Sequence, residues 1–409
     1  MRNSTLLAGV LLLGTLISCN NQQKTANILN QTEFPSPPSA EVKADTLTNF
    51  GVERIDNYFW MKDKNNPKVI EYLKAENRYT DTVMASTIDL QQKIYDEIIG
   101  RMKEDDQTFP TLSNGYYYYT RTEKGKQYKT YCRKKGSLNA PEEVTFDVNK
   151  MAEGKPAFMF GGNTISPDNT KAAYFYNETG SFADYMLKIK DLTTGKDLDF
   201  SVKGASSFAW ANDNKTIFYS LIDPITLRSF RVYRQVLGNP EAELVYEEKD
   251  PKFSTGVSGT KTREWIMISS GSSTTSEDRL LSADNPSEAF AVFMPRVQDV
   301  EYDVYPHKDF FFIRYKDKEN LNGKIYQVAK SDYANRAAWK EMVAHNKDVR
   351  IENLNVQKEY IVIETRKNGL TEMEIRSLVT GKSRFVSFPE PVYNAYSSGN
   401  PEYDAATFR

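Results

Sequence analysis

Gly115-Tyr116-Tyr117-Tyr118-Tyr119, Ala172-Ala173-Tyr174-Phe175-Tyr176, Thr216-Ile217-Phe218-Tyr219, Glu264-Trp265-Ile266-Met267-Ile268, Asp309-Phe310-Phe311-Phe312-Ile313 and Glu359-Tyr360-Ile361-Val362-Ile363 are six versions of one segment. Each is dense in the aromatic and β-branched residues that suit a pleated surface. Each begins just after a polar turn, such as Ser166-Pro167-Asp168-Asn169 or Asn212-Asp213-Asn214. The starts lie 44 to 57 residues apart. Alternating second strands follow at 185–189, 230–233, 324–328 and 372–375, and Thr194-Gly195 and Thr380-Gly381 supply the next turns. Strand–turn–strand units at a mean spacing of about 49 residues predict propeller blades. An irregular β-sandwich would require that spacing to be an accident. The same spacing puts a seventh aromatic strand near residue 408, where Thr407-Phe408-Arg409 stand. The expected fold is all-β: a seven-bladed propeller over 107–409 with six blades and the start of a seventh, incomplete in its last blade.

Upstream the pattern changes. Apart from Arg2, residues 1–18 carry no charge, and Leu6 to Ile17 form an apolar run too short for a stable bilayer-spanning helix. It reads as a signal peptide over 1–18. Leu16-Ile17-Ser18-Cys19 resembles the lipobox of bacterial lipoproteins, in which the cysteine thiol takes a diacylglyceryl group, so Cys19 is the expected lipidation site and the lipid the expected membrane contact. No acidic cluster follows Cys19, which points to a periplasm-facing protein held to the cell envelope. Residues 19–45, polar and then Pro-rich at Phe34-Pro35-Ser36-Pro37-Pro38, read as a flexible tether. A helical segment over 46–106 comes next. Asn66-Pro67 marks one helix start, with Val69, Ile70 and Leu73 as its apolar stripe to about Arg78. A second helix is expected from about Asp81 to Ile99, with Val83, Ile88, Ile94 and Ile98 facing inward and Gly100 as its stop.

Charge and composition narrow the function classes. With 53 Lys+Arg against 55 Asp+Glu and no basic block, the chain lacks the clustered cations that nucleic-acid binding needs. Two cysteines, Cys19 and Cys132, cannot build a disulfide framework or a Cys-rich zinc site, and no metal or cofactor is expected. Cys132 lies in an alternating strand pattern and reads as a buried structural thiol. The two histidines, His307 and His345, flank strand and turn without a candidate nucleophile. Ser270-Gly271-Ser272-Ser273 reads as a solvated turn. Glu247-Glu248 reads as the solvated end of a strand, with recognition of a basic residue as the other reading. Of the four tyrosines 116–119, two are expected to pack between blades.

Arg54-Ile55-Asp56-Asn57-Tyr58-Phe59-Trp60-Met61-Lys62-Asp63 resembles the N-terminal signature of the prolyl oligopeptidase family, above all its oligopeptidase B branch. The helix Glu71 to Asn77, the turn Gly161 to Asn169, and the runs Phe208 to Asp213, Tyr246 to Asp250 and Ser273 to Glu277 are similar to the same branch. The resemblance implies a propeller that covers an α/β-hydrolase domain and admits only short or unstructured peptides. It also implies N-terminal helices that pack on the hydrolase, and acyl transfer to a serine with cleavage after Arg or Lys. A serine hydrolase of this kind needs a Gly-x-Ser-x-Gly elbow, and the sequence holds none. No catalytic residue is therefore assigned, the substrate-binding residues stay unknown, and the chain alone is expected to be inactive. Peptides become its partners only through a hydrolase domain. The alternatives are one half of a split peptidase, or a non-enzymatic propeller lipoprotein that binds peptides or proteins.

Overall fold

A computed structural model describes residues 34–405 and 407–409; Cys19 and the signal segment lie outside the described residues. The chain divides after Lys103 into two compact units.

The first unit carries a two-stranded hairpin, Asp45–Asn49 with Val52–Asp56, and two helices, α1 (Pro67–Met84) and α2 (Ile88–Arg101). α1 starts as the sequence requires: Asn66 Oδ1 accepts the Lys68 amide, and Pro67 takes a position that needs no N–H. It runs six residues past the expected end, so Val83 belongs to α1, and a 3₁₀ turn over Ala85–Thr87 makes the break. Nothing between Arg78 and Asp81 costs helical hydrogen bonds, whereas Ser86-Thr87 can bond locally; the Thr87 hydroxyl donates to the Met84 carbonyl. The inward stripe expected for α2 is corrected. Ile88, Ile94 and Ile98 are 61%, 47% and 48% exposed, and of the stripe on α1 only Val69 is buried. Periodicity identifies an apolar face but says nothing about what covers it.

The second unit contains six antiparallel sheets of four strands each. Numbered along the chain, the blades span 111–147, 159–203, 205–247, 254–292, 301–343 and 349–385. Every aromatic segment of the repeat is the second strand of its blade: Tyr116–Arg121, Lys171–Asn177, Thr216–Ile222, Trp265–Gly271, Phe310–Lys316 and Tyr360–Lys367. These strands read as apolar runs because a blade is covered on both faces by its neighbours; Phe311, Phe312, Ile313 and Ile361 are fully buried. Third strands such as Met186–Asp191 alternate, with Leu187 and Ile189 buried. The first strands, such as Met159–Ile165 and Ala205–Trp210, carry no such pattern, and Gly161 to Ile165 belongs to strand, not to the turn read from the sequence. A Cβ on Gly161 would lie 2.8 Å from the Tyr185 ring, so close packing demands glycine there. Beyond Phe385 the described residues form no strand, but Ser398 donates to the Arg409 carbonyl at 3.0 Å in a hairpin-like return.

Candidate functional site

The turns between first and second strands gather on one face of the ring, where a cavity of about 940 Å³ opens among residues of blades 1 to 4 and the 398–409 segment. Its walls include Ser113, Asn114, Ile165, Trp210, Thr260, Arg263 and Trp265. A second cavity of about 310 Å³ shares Gly259 and Thr260 and continues along the first strands of blades 5 and 6, from Val304 to Pro306 and Asn353 to Val356. They meet at the Gly259-Thr260 turn along the central tunnel that a propeller's first strands enclose, and the larger also runs into blade 1 past Tyr131, Cys132 and Thr145.

Side-chain amides stitch successive turns together. Asn114 Nδ2 donates to the Pro167 carbonyl at 2.7 Å, and Asn169 Nδ2 returns a bond to the Asn114 carbonyl at 3.2 Å. The Asp168 amide donates to Asn214 Oδ1 at 2.8 Å, and Asn212 Nδ2 to the Arg263 carbonyl at 3.0 Å. Asn114, Asn169 and Asn214 all have positive φ, a conformation in which asparagine is favoured among residues with a side chain. Lys261 reaches from blade 4 to Asn355 Oδ1 at 3.2 Å. With the Gln357 amide turned so that its nitrogen meets the Glu402 and Tyr403 carbonyls, Lys261 also donates to Gln357 at 3.1 Å. Burial pulls this ammonium group down to about 8.

The residues singled out in the sequence do not form a catalytic centre. Both ring nitrogens of His307 are engaged: Nδ1 accepts the Asp309 amide at 3.1 Å, and Nε2, carrying the proton, meets the Lys358 carbonyl at 3.0 Å. His345 lies between the last strand of blade 5 and the first of blade 6. Cys132 is buried, and burial pushes its thiol up to about 11, in keeping with a structural role. Ser273 and Thr274 face solvent as expected, but Ser270 is buried, bonded to Thr255 at 2.7 Å and to Tyr246 at 3.2 Å. Tyr118 donates to Asn169 on the next blade, and Tyr119 is buried against Glu142. No group of three or more His, Cys, Asp or Glu suited to a metal occurs among the described residues.

The Glu247-Glu248 reading needs correction. Glu247 is half-buried and pairs with Arg231, while Glu248 is buried. Its carboxylate accepts Arg296 Nη2 at 2.5 Å, the Tyr246 hydroxyl at 2.8 Å and the Asp250 amide at 3.0 Å. Burial alone would push the Glu248 carboxyl up, but these donors outweigh it and hold the group below the usual carboxylate range. The pair on one strand end therefore serves packing, and neither carboxylate stands free for a ligand. The tunnel residues Lys261 and Arg263 went unread in the sequence because a lone cation in a turn resembles any solvated one.

Six four-stranded blades around a tunnel, with a further hairpin-like segment, define a protein of the β-propeller class. The chain belongs to the prolyl oligopeptidase family: residues 37–409 match the family's model for the prolyl oligopeptidase N-terminal β-propeller domain. Dipeptidyl aminopeptidase BI of Pseudoxanthomonas mexicana is 35% identical over 388 residues, covering 90% of this chain and 53% of the relative. Protease 2 of Moraxella lacunata is 29% identical, covering 87% and 52%. Among solved structures, oligopeptidase B from Leishmania major superposes with a TM-score of 0.85 at 30% identity, covering 91% of this chain and 57% of that one. The chain thus spans about half the length of the relatives it matches.

Proposed function

We propose that this chain is the gating propeller of an oligopeptidase B-like serine peptidase, admitting short peptides to a hydrolase domain that cleaves after Arg or Lys. By itself it hydrolyses no amide bond. The observation that carries this reading is the match along 37–409 to the family's propeller domain. The tunnel supports it, and so does the engagement of both His307 nitrogens, which leaves that ring no proton to take from a nucleophile. The name of the relative from Pseudoxanthomonas mexicana favours a second specificity, removal of dipeptides from amino termini. Purified chain should leave both benzoyl-arginine p-nitroanilide and glycyl-arginine p-nitroanilide intact. Turnover blocked by a serine-directed inhibitor would overturn the reading. A hydrolase domain from an oligopeptidase B added in trans separates the alternatives: restored cleavage marks a split peptidase, and the preferred chromogen reports the specificity. A propeller that only binds partners leaves that mixture silent.

The envelope assignment rests on Leu16-Ile17-Ser18-Cys19. We propose attachment through a lipid on Cys19; no described helix is long and apolar enough to cross a membrane. Cells fed labelled palmitate should transfer label to this chain and lose it in Cys19→Ser; an unlabelled wild-type chain would contradict the anchor.

A further inference from the structure

Five residues, Pro401 to Ala405, are gripped by turns from four different blades. Glu402 Oε1 accepts Arg263 Nη2 of blade 4 at 3.0 Å and also the Asn114 amide of blade 1. Arg263 Nη1 donates in turn to Asn114 Oδ1, so one guanidinium links turns 149 residues apart. The Tyr403 carbonyl accepts the Lys358 amide of blade 6 at 2.9 Å, and its hydroxyl accepts the Lys308 amide of blade 5 at 3.2 Å. The Tyr403 ring is buried edge-on against His307 with centroids 5.6 Å apart, and Asp404 pairs with Lys358 at 2.8 Å.

Arg263 also stands at a costly position. Its φ is 61°, matching Asn169 at 61° and Asn214 at 58° in the sister turns of blades 2 and 3. Asparagine tolerates this left-handed conformation, while arginine there stores strain on the order of 1 kcal/mol. Arginine differs from asparagine at that point chiefly in reach and charge, and both are used to meet Glu402 and Asn114. Arg263 and Pro401 both line the 940 Å³ cavity.

We propose that Pro401–Ala405 is a latch that holds the ring shut on its turn face, and that Arg263 bolts it across the tunnel mouth, barring passage there. The proposal rests on the ring alone and stands whether or not the propeller gates peptides. Arg263→Asn removes the reach and relieves the turn, so the ring should still fold; Glu402→Gln removes the charge and leaves the turn untouched. Hydrogen exchange on the full chain reads the latch. In R263N the amides of Asn114, Lys308 and Lys358 should exchange roughly tenfold faster, with those of Phe312 and Val362 unchanged. E402Q, which keeps an acceptor oxygen for the Asn114 amide, should move the same three amides by a smaller factor. Unchanged exchange at all three amides in both single variants would overturn the latch. Tryptophan quenching reads the bar. The chain has four tryptophans, and Trp60→Phe with Trp339→Phe leaves Trp210 and Trp265, both in the cavity wall. In that background R263N should raise the acrylamide quenching constant about twofold or more. Faster exchange with unchanged quenching would leave a tie between blades and overturn the bar.

Discussion

Replacing Glu248 with alanine is expected to lower the unfolding free energy by about 2–3 kcal/mol, below the range for a fully buried ion pair because the Arg296 side chain is a quarter exposed. Arg296 would keep its place with its guanidinium carbon 3.7 Å from the centre of the Phe253 ring and its Nε already without a hydrogen-bond partner. The nearest remaining carboxylate oxygen is on Glu277 at 3.9 Å, and Arg279 already holds that same oxygen at 2.7 Å. One acid would then serve two partly buried guanidinium groups. Glu248→Gln keeps the shape and an acceptor oxygen, so its loss should be about 1–2 kcal/mol. The pH dependence has a definite sign. A carboxyl held below its unfolded value stabilises the fold above that value and loses the contribution as pH falls. The wild type minus E248Q difference should therefore shrink on acidification below about pH 4. Urea unfolding of the three proteins checks this; a loss under about 1 kcal/mol for E248A would mean that water replaces the contacts Glu248 makes to Arg296.

Asp278→Asn should act in the opposite direction. Asp278 is 4% exposed at the seam between blades 4 and 5, where its Oδ2 accepts the Val304 amide at 3.2 Å. Burial raises its carboxyl to about 7, helped by the nearby charges of Asp303 and Glu277 and opposed by the Ser269 hydroxyl and the Val304 amide. An acid whose folded value lies above its unfolded value favours the fold fully at low pH. That favour is lost as pH rises from about 4 to about 7, after which the curve is flat. Asparagine carries no charge at any of these values. D278N should match wild type near pH 4 and exceed it by on the order of 2–4 kcal/mol at pH 8. A stability difference that stays constant over that range would show that the carboxyl titrates normally.

Much of the ring could be read from sequence because second strands are buried on both faces. Phe310 to Ile313 or Tyr360 to Ile363 can hardly be anything else once turn residues precede them. First strands were invisible for a physical reason: one such as Ser254–Gly259 packs partly against the tunnel and uses small residues without alternation. Fourth strands were equally faint, since Ser383–Phe385 lies exposed at the rim. The tunnel site was hidden further, because Asn114, Arg263 and Glu402 meet only after the ring has formed. The one local trace was an arginine where Asn169 and Asn214 predict asparagine. The buried Glu248 escaped for a similar reason, since its partner Arg296 belongs to the next blade.

Apolar clusters join blade 1 to 2, 2 to 3, 3 to 4, 4 to 5 and 5 to 6, each with its own set of buried side chains. Among the described residues the return from Pro401–Ala405 to blade 1 is made instead through Glu402 and Asn114. The hoop is therefore a row of five mostly dry joints and a wet stretch around Pro401–Ala405, which meets both blade 6 and blade 1, and the two kinds answer to different solvents. Cooling slackens the dry joints, because apolar association weakens at low temperature, while added salt screens the exposed ion pairs of the wet one. Ionic strength, applied from outside, should thus loosen the contacts around Pro401–Ala405 most and act least on seams such as that of blades 3 and 4, where the Glu248–Arg296 pair is largely shielded from solvent.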